Sequence, residues 1–300
     1  MRAFVWGAAA LTVVACTDPG SAPIVPQPIN VAPFVESADG AMPLVLVAPH
    51  GGDLSPPELP TRFCDGCITT NDANTAELAR EISDAFHRRI ARRPYVVINR
   101  LHRRKFDANR DLAEATGGYE PLNAMWALFH ERVDSAKARA RAAGGRVLLL
   151  DLHGHAHAIP RLELGYLLSA SELRLGDAAL APLVRSSSSI ARLDSVALAG
   201  DSGTVLLRGP RSLGARLAAQ GYASVPSPDA PAPLVGEEYF SGGFNTERHG
   251  SRTGGAVDAI QIEAHNAGVR DTPAARTAFA EALVTALLAY LQDHYGWTPP

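Results

Sequence analysis

The sequence lacks the features that mark several specialised protein classes. It has no excess of charge of one sign, because 31 acidic residues nearly balance 28 lysines and arginines and the formal net charge is −3. The basic residues are scattered, so the sequence lacks the basic patch that a nucleic-acid-binding surface needs, and we expect no nucleic-acid partner. It also lacks internal repeats, and no linker divides residues 43–300, which predicts a single domain there.

Cysteine is scarce. Cys16 lies near the N-terminus, whereas Cys64 and Cys67 lie together in the segment Cys64-Asp-Gly-Cys67. Two thiols this close, separated by a turn-forming Asp-Gly pair, are typical of a small structural disulfide in an oxidising compartment. A redox site would follow a thioredoxin-like strand, and a zinc knuckle would need a second cysteine pair. The pattern therefore predicts a disulfide between Cys64 and Cys67.

The N-terminal apolar stretch is too short to span a bilayer. Arg2 precedes the mostly apolar residues 4–14, which are followed by a small residue and Cys16. This order is typical of a signal peptide. The motif Val13-Val14-Ala15-Cys16 resembles a bacterial lipobox, which implies that Cys16 carries lipid. The alternative is a plain secretory signal with an incidental cysteine.

This resemblance implies a protein with three parts. Residues 1–15 would be a signal peptide that is removed, and residues 16–42, rich in Pro, Ala and Ser, would be a tether. Residues 43–300 would form the catalytic domain. We therefore expect an extracytoplasmic lipoprotein, anchored to a bacterial membrane on the periplasmic side through its N-terminal lipid.

Buried strands and amphipathic helices alternate along the predicted domain. Apolar runs predict strands at residues 44–48, 95–98, 146–152, 164–168, 205–207 and 256–262. Helical patterns cover residues 74–91, 121–143 and 272–290. Such alternation predicts an α/β fold with a mixed, mostly parallel central sheet flanked by helices. Residues 226–255 interrupt it with a Gly- and Pro-rich segment that we interpret as an active-site loop or lid.

A first polar group, Pro49-His50-Gly-Gly-Asp53, directly follows the strand at residues 44–48. In an open α/β sheet, functional groups gather beyond the carboxyl ends of the strands. The paired glycines allow a tight turn, so His50 and Asp53 could converge on one metal ion. The alternative is a capped turn that binds nothing.

A second polar group, Asp151-Leu-His153-Gly-His155-Ala-His157, contains three of the ten histidines of the chain. Alternate residues of an extended segment point the same way, so the spacing alone does not separate ligands from their neighbours. We expect His153 to be the metal ligand because it lies closest to the strand end. We expect His155 and His157 to contact substrate or to hydrogen bond behind the ligands.

A third polar group places Glu263 at the end of the strand at residues 256–262. A carboxylate beside a buried strand is costly unless it is paired or used, so Glu263 is a candidate base, with a structural salt bridge as the alternative. Two histidines and one carboxylate with an open position are typical of catalytic zinc sites. The expected cofactor is therefore Zn²⁺, bound by His50, Asp53 and His153.

Several motifs resemble those of zinc carboxypeptidases. Asp107-Ala-Asn109-Arg110 resembles the Asp-x-Asn-Arg element that binds a substrate carboxylate, and Arg100-Leu-His-Arg103 resembles an Arg-x-x-Arg stretch. His50-x-x-Asp53, Leu150-Asp-Leu-His153 and Ile260-Gln-Ile-Glu263 resemble the strand ends that carry the zinc ligands and the catalytic glutamate. Residues 239–250 are similar to a Gly-Gly loop of the amidohydrolases.

Taken in this order, the motifs resemble the N-formylglutamate amidohydrolase family, which shares the fold of the zinc carboxypeptidases, over most of residues 43–295. The resemblance implies that Glu263 is the base and that Arg103 polarises the scissile carbonyl, although Arg103 and Arg104 could instead be a solvated charge run. It implies substrate contacts from Asn109, Arg110, His155 and Arg248. Guanidinium pairs bidentately with carboxylate, which independently suits an anionic substrate.

The implied activity is zinc-dependent hydrolysis of an amide bond adjacent to a carboxylate of a small amide or peptide substrate. Breakdown of N-formylglutamate is usually cytoplasmic, whereas this N-terminus predicts export. An extracytoplasmic zinc carboxypeptidase or amidase acting on cell-wall or γ-glutamyl peptides is therefore an alternative. A carboxylate-binding lipoprotein without turnover is a second one.

Overall fold

Seven strands form the central sheet. The computed structural model describes residues 29–196 and 200–300, so the predicted signal peptide, Cys16 and the first part of the tether lie outside the described residues. The strands are β1 (Val35–Ala38), β2 (Leu44–Ala48), β3 (Tyr95–Asn99), β4 (Val147–Gly154), β5 (Leu162–Gly165), β6 (Ser224–Val225) and β7 (Val257–Ala264). Most of their residues are buried, as expected for strands that helices cover on both faces.

The strand order in the sheet is β1-β3-β2-β4-β7-β5-β6. The central strands β3, β2, β4 and β7 run parallel to one another. At the two sides, β1 runs antiparallel to β3 and β5 runs antiparallel to β7, while β6 is parallel to β5. This arrangement confirms the predicted mixed, mostly parallel sheet.

Helices cover both faces of the sheet. They are α1 (Thr75–Ile90), α2 (Leu112–Thr116), α3 (Asn123–Gly144), α4 (Ala170–Leu173), α5 (Asp177–Ser187), α6 (Ala191–Val196), α7 (Thr204–Arg208), α8 (Leu213–Ala219), α9 (Phe244–His249) and α10 (Pro273–Tyr295). Helix α3 packs on one face of β2, β3 and β4, and α1, backed by α10, packs on the other. By length and composition α10 could cross a membrane, but it packs against α1 and α8 as a core helix does.

Two assignments made from the sequence need correction. Residues 35–38, placed in the tether, form the edge strand β1 and pair with β3, so the folded region begins before Met42. The apolar run at residues 205–207, expected to be a strand, lies in the helix α7 between Gly203 and Gly209. A run of three apolar residues does not distinguish a strand from one turn of a buried helix, and this one resolved as a helix.

The alternation of side chains along each strand decides which residues face the functional edge. In β4, Val147 and Leu149 belong to the core on the α3 face, whereas Leu148 and Leu150 belong to the other core. His153 continues the row on the α3 face, because residues two apart in a strand share a face. It pairs in register with Glu263 of β7, so the two side chains emerge side by side at the carboxyl ends of parallel strands.

Candidate metal centre and active site

Three ligand atoms from separate segments converge at the carboxyl ends of β2 and β4. The Nδ1 atoms of His50 and His153 lie 3.1 Å apart. Oδ2 of Asp72, which precedes α1, lies 3.2 Å from the first and 3.0 Å from the second. All three side chains are buried. We call His50, Asp72 and His153 the metal triad.

Each histidine of the metal triad is oriented by a buried carboxylate behind it. Nε2 of His50 lies 2.6 Å from Oδ1 of Asp107, and Nε2 of His153 lies 3.0 Å from Oδ2 of Asp151. An Nε2–H that donates to a carboxylate leaves the lone pair on Nδ1, which is the atom each ring directs toward Asp72. Both rings are therefore oriented so that Nδ1, the atom a metal would bind, faces Asp72.

The donor set and its spacing fit zinc. Two imidazole nitrogens and one carboxylate oxygen are typical protein ligands of a catalytic zinc ion. Ligand atoms in a tetrahedral site, each about 2.0–2.1 Å from the ion, lie about 3.3 Å apart. The observed separations of 3.0–3.2 Å are close to this value. The three atoms could thus occupy three corners of a tetrahedral site, in which the fourth position would be left for solvent or substrate.

The side chains of the metal triad shift one another's pKa values. Burial raises the pKa of Asp72, but the imidazoles of His50 and His153 outweigh this effect and lower it overall. For His153, burial lowers the pKa, but Asp151, Asp72 and Glu263 outweigh it and raise the pKa well above its usual value. A metal ion must therefore displace a proton from His153, so metal affinity should rise with pH.

Asp53, predicted as the second ligand, is not part of the triad. Its side chain is exposed and its Oδ1 accepts only a long hydrogen bond, 3.4 Å, from Asn71. Gly52, which precedes Asp53, packs against the main chain of Arg100, where a Cβ would lie 2.2 Å from the carbonyl carbon. The carboxylate that converges with His50 and His153 is that of Asp72 instead, 22 residues after His50. No short-range spacing in the sequence points to it, although Asn71-Asp72 does precede a helix.

Glu263 occupies the position expected of a base. It is buried, and burial raises its pKa to about 8, with Asp72, Glu163 and Asp151 contributing and His153 opposing. Its Oε1 accepts a hydrogen bond from Gln261 at 2.9 Å. Its Oε2 is buried and has no hydrogen-bond partner among the described residues. A carboxylate with one unpaired oxygen beside a metal triad can accept a proton from bound water.

The metal triad and Glu263 line one cavity of about 390 Å³. Its wall also contains Ile68, Thr70, Asn71, Arg103, Asn109, Arg110, residues 154–157, Glu238, Phe240, Gly242, Gly243, Gln261 and Arg270. This volume suits a small molecule, and convergent polar groups with perturbed pKa values in such a cavity are typical of an active site.

The predicted arginine and asparagine residues reach this cavity. Arg103 is buried, with Nε 2.9 Å from Oδ2 of Asp107 and Nη1 3.5 Å from Oδ1 of Asp72. Asn109 places its Nδ2 3.3 Å from Nε2 of His153. Arg110 is partly exposed at the cavity wall and pairs with Glu114 at 2.7 Å. Arg103 is therefore not a solvated charge.

Two other predicted substrate contacts are not available. Arg248 is exposed, stacks over Trp126 at 4.9 Å from the ring centre, and does not line the cavity. From the same segment it is Asn245 that approaches the site, donating its N–H to Oδ1 of Asn109 at 2.7 Å. His155 lines the cavity, but both of its ring nitrogens hydrogen bond to main-chain atoms, so none is left for substrate.

Arg270, which none of the sequence motifs indicated, connects three segments of the site by hydrogen bonds. Its buried guanidinium donates to the carbonyls of Ala73 at 2.5 Å, Ala264 at 2.9 Å and His155 at 3.1 Å. Ala73 directly follows Asp72, Ala264 directly follows Glu263, and His155 lies two residues after His153. A Cβ on Gly154 would lie 2.4 Å from the Arg270 guanidinium carbon, so glycine is required there.

The Cys64–Cys67 disulfide is present, as predicted, and it lies close to the metal triad. Nη1 of the buried Arg62 lies 3.5 Å from the sulfur of Cys64 and 3.2 Å from that of Cys67. Nη2 of Arg62 lies 3.3 Å from Oδ2 of Asp107, the carboxylate that orients His50. The disulfide therefore supports the metal triad through two intervening side chains.

Two solved structures share this fold. N-formylglutamate amidohydrolase from Ralstonia eutropha JMP134 matches with a TM-score of 0.52 and 14% identity, over 88% of this chain and 99% of that chain. A gene product of Agrobacterium tumefaciens matches with a TM-score of 0.50 and 16% identity, over 85% and 94%. No protein-family model and no curated protein matches the sequence. At such identities a likeness shows the fold alone, so the site must carry the functional argument.

Proposed function

We propose that this protein is a zinc-dependent amidohydrolase that cleaves an amide bond adjacent to a carboxylate of a small substrate. The observation that carries this proposal is the convergence of Nδ1 of His50, Nδ1 of His153 and Oδ2 of Asp72 within 3.2 Å of one another, with Glu263 in register beside His153. A carboxylate next to three zinc-type ligands is the arrangement that metal-assisted hydrolysis requires.

The residues of the cavity divide the reaction among them. A bound Zn²⁺ would lower the pKa of coordinated water to about 7 and polarise a carbonyl oxygen. Glu263 would accept a proton from water at its unpaired Oε2. Arg103, fixed by Asp107, would stabilise negative charge on the substrate carbonyl oxygen. Arg110, with Asn109, would bind the substrate carboxylate and so place the amide bond.

The substrate class follows from the cavity and from the similar fold. One solved structure with this fold is named for N-formylglutamate hydrolysis, which makes N-formylglutamate the first compound to test. The predicted export of the chain favours peptides with a carboxylate next to the scissile bond, including cell-wall and γ-glutamyl peptides, as the alternative. Both classes present the same two features, an amide carbonyl and a carboxylate.

Metal analysis followed by kinetics tests the proposal. The purified protein should contain one zinc per chain and hydrolyse N-formylglutamate or one of a panel of carboxylate-bearing amides. Glu263→Gln should retain zinc and lose at least about 100-fold in kcat, because it removes only the proton acceptor. Zinc binding without hydrolysis of any panel member would instead support a carboxylate-binding protein, and absence of zinc would count against both.

We also propose that Cys16 is lipidated and anchors the protein to the periplasmic side of a bacterial membrane. The support is the lipobox-like motif that ends at Cys16 and the Pro-rich segment that follows it. Cys16→Ser should release the protein from the membrane fraction, and mass spectrometry of the native N-terminus should detect the lipid. Membrane association that survives Cys16→Ser would contradict the anchor.

A further inference from the structure

A second histidine–carboxylate pair, His157 and Glu163, borders the same cavity, and His157 lies in its wall. Glu163 of β5 is fully buried. Its Oε1 lies 2.9 Å from Nδ1 of His157, and its Oε2 accepts the N–H of Phe240 at 2.7 Å. A fully buried carboxylate is stable only when both oxygens are satisfied. Glu163 therefore fixes both His157 and Phe240, which lies in the segment between β6 and α9.

Neighbouring side chains contact the ring of His157 and fix its position. Phe240 stacks on it at 4.5 Å between ring centres and 21° between planes, and the ring of His155 lies 5.0 Å away. Nδ1 is bound to Glu163. Nε2 of this half-buried residue makes no hydrogen bond with residues 29–196 or 200–300, and the residue lines the cavity. The ring is thus rigidly placed with one nitrogen free for a ligand.

This pair is not a second metal site. His155, His157 and Glu163 could bring three ligand atoms within 4.8 Å of one another. However, Nε2 of His155 hydrogen bonds to the carbonyl of Arg161 at 2.8 Å, and its Nδ1 accepts the N–H of His157 at 3.1 Å. Two donors remain, and a stable zinc site needs at least three from the protein. A free Nε2 backed by a buried carboxylate is instead the arrangement of an acid–base histidine.

The pair stands close to Glu263. Glu163 and Glu263 are register partners across the antiparallel strands β5 and β7, so their side chains emerge on the same face of the sheet. His157, bound to Glu163, therefore lies on the β7 side of the metal triad, within a cavity that one small amide would fill. A substrate carbonyl at the triad would have its leaving nitrogen within the same small volume.

We infer that His157, oriented by Glu163, is a second proton-transfer residue: as the imidazolium, with Nδ1–H bound to Glu163, it donates its Nε2 proton to the leaving nitrogen of the substrate and becomes the neutral imidazole. This inference rests on the proposed amide hydrolysis. When the C–N bond breaks, its electron pair stays on nitrogen, which takes the Nε2 proton and leaves as the amine. The proton that Glu263 took from the attacking water then restores His157, directly or through solvent. In total, water and an amide are consumed and a carboxylic acid and an amine are formed, so the atoms balance.

A pair of substrates with different leaving groups tests this role. The amide that the wild type hydrolyses best is compared with its thioester analogue, in which sulfur replaces the leaving nitrogen and departs without a proton. With His157→Gln, kcat/KM for the amide should fall by about 100-fold or more, whereas the thioester should change by less than about 3-fold. Glu163→Gln should show the same selectivity with a smaller loss, because it removes the orienting charge.

Two controls keep the result interpretable. His87→Gln makes the same change at an exposed position of α1 and should leave both substrates unaffected. Zinc content and thermal unfolding of every variant check that the fold and the metal triad are intact. A proton-transfer role is overturned if His157→Gln retains wild-type activity on the amide, or if the amide and thioester lose activity equally.

Different results overturn the proposed function and the role of His157. A zinc-loaded wild type that hydrolyses no amide in the panel overturns the proposed function, and the role of His157 with it. A wild type that hydrolyses the amide while His157→Gln fails to discriminate between the substrates overturns the role of His157 alone.

Discussion

Two groups with the same composition, two histidines and one carboxylate, lie at the cavity, and they differ in which ring nitrogens are free. In the metal triad, the ring nitrogens that point away from the centre are occupied by Asp107 and Asp151, so both Nδ1 atoms face Asp72. In the second group, main-chain atoms occupy both nitrogens of His155, and Glu163 occupies the inner nitrogen of His157.

The two groups differ in the hydrogen-bond partners of their histidine rings, not in the types of residue that could bind a metal. A histidine can ligate only through a nitrogen whose lone pair is free, and the hydrogen bond at the other nitrogen decides which one that is. Buried carboxylates behind the rings favour a metal in the first group. Main-chain contacts and a single carboxylate favour hydrogen bonding or proton transfer in the second group.

The largest expected effect is the loss of zinc affinity when the metal triad loses its carboxylate. Asp72→Ala should weaken zinc binding by about 1,000-fold or more, because it removes one of three ligands and leaves two buried imidazoles. Zinc titration against a competing chelator measures the change. Asp53→Ala is the matched control and should bind zinc as the wild type does. Loss of zinc in Asp53→Ala with retention in Asp72→Ala would reverse the assignment.

Next in size is the response of stability to pH at Glu263, which lies between the two groups. Its folded pKa of about 8 exceeds the usual 4.5, so wild-type stability is full below pH 4.5 and is lost as pH rises through 8. In the metal-free protein, Glu263→Gln should therefore be more stable than the wild type by about 4–5 kcal/mol at pH 9. At pH 4.5 the two should be nearly equal. Urea denaturation in EDTA at both pH values measures this, and a difference that does not grow with pH would contradict the raised pKa.

A smaller effect is expected from the carboxylates behind the ligands. Asp107→Asn or Asp151→Asn should weaken zinc binding by about 10- to 100-fold, because the orienting acceptor loses its charge while the ligand remains. Glu163→Gln changes the equivalent carboxylate of the second group and should leave zinc affinity unchanged. If Glu163→Gln weakened zinc binding as much as Asp107→Asn does, the two groups would not be functionally distinct.

The smallest effect concerns the disulfide. Replacing Cys64 and Cys67 together by serine should weaken zinc binding by only about 3-fold, since Arg62 keeps main-chain partners at Ile68 and Glu114. The effect should pass through Asp107. A variant that combines the serine pair with Asp107→Asn should therefore bind zinc no more weakly than Asp107→Asn alone, and additive losses would contradict that route.

Much of the site could be predicted because it lies at strand ends. His50, His153 and Glu263 each follow or end a continuous apolar run, and β2, β4 and β7 are parallel neighbours in the sheet. Asp72 could not be predicted in this way. It follows a loop of some 20 residues that contains the disulfide, and no local period relates it to His50. Arg270 was missed because its partners are main-chain carbonyls, which leave no motif.

The sequence by itself determined the class of the fold, the apolar strands and the supply of histidines and carboxylates at one edge, since these follow from local periodicity and short spacing. Only the tertiary structure decided which carboxylate completes the metal triad, which nitrogen each histidine presents, and that His157 rather than His155 has a nitrogen free. The first choice depends on hydrogen bonds between segments 22 and 81 residues apart, which exist only once the sheet has brought the segments together. The others also depend on short contacts in and after β4, where the folded backbone sets the orientation of each ring.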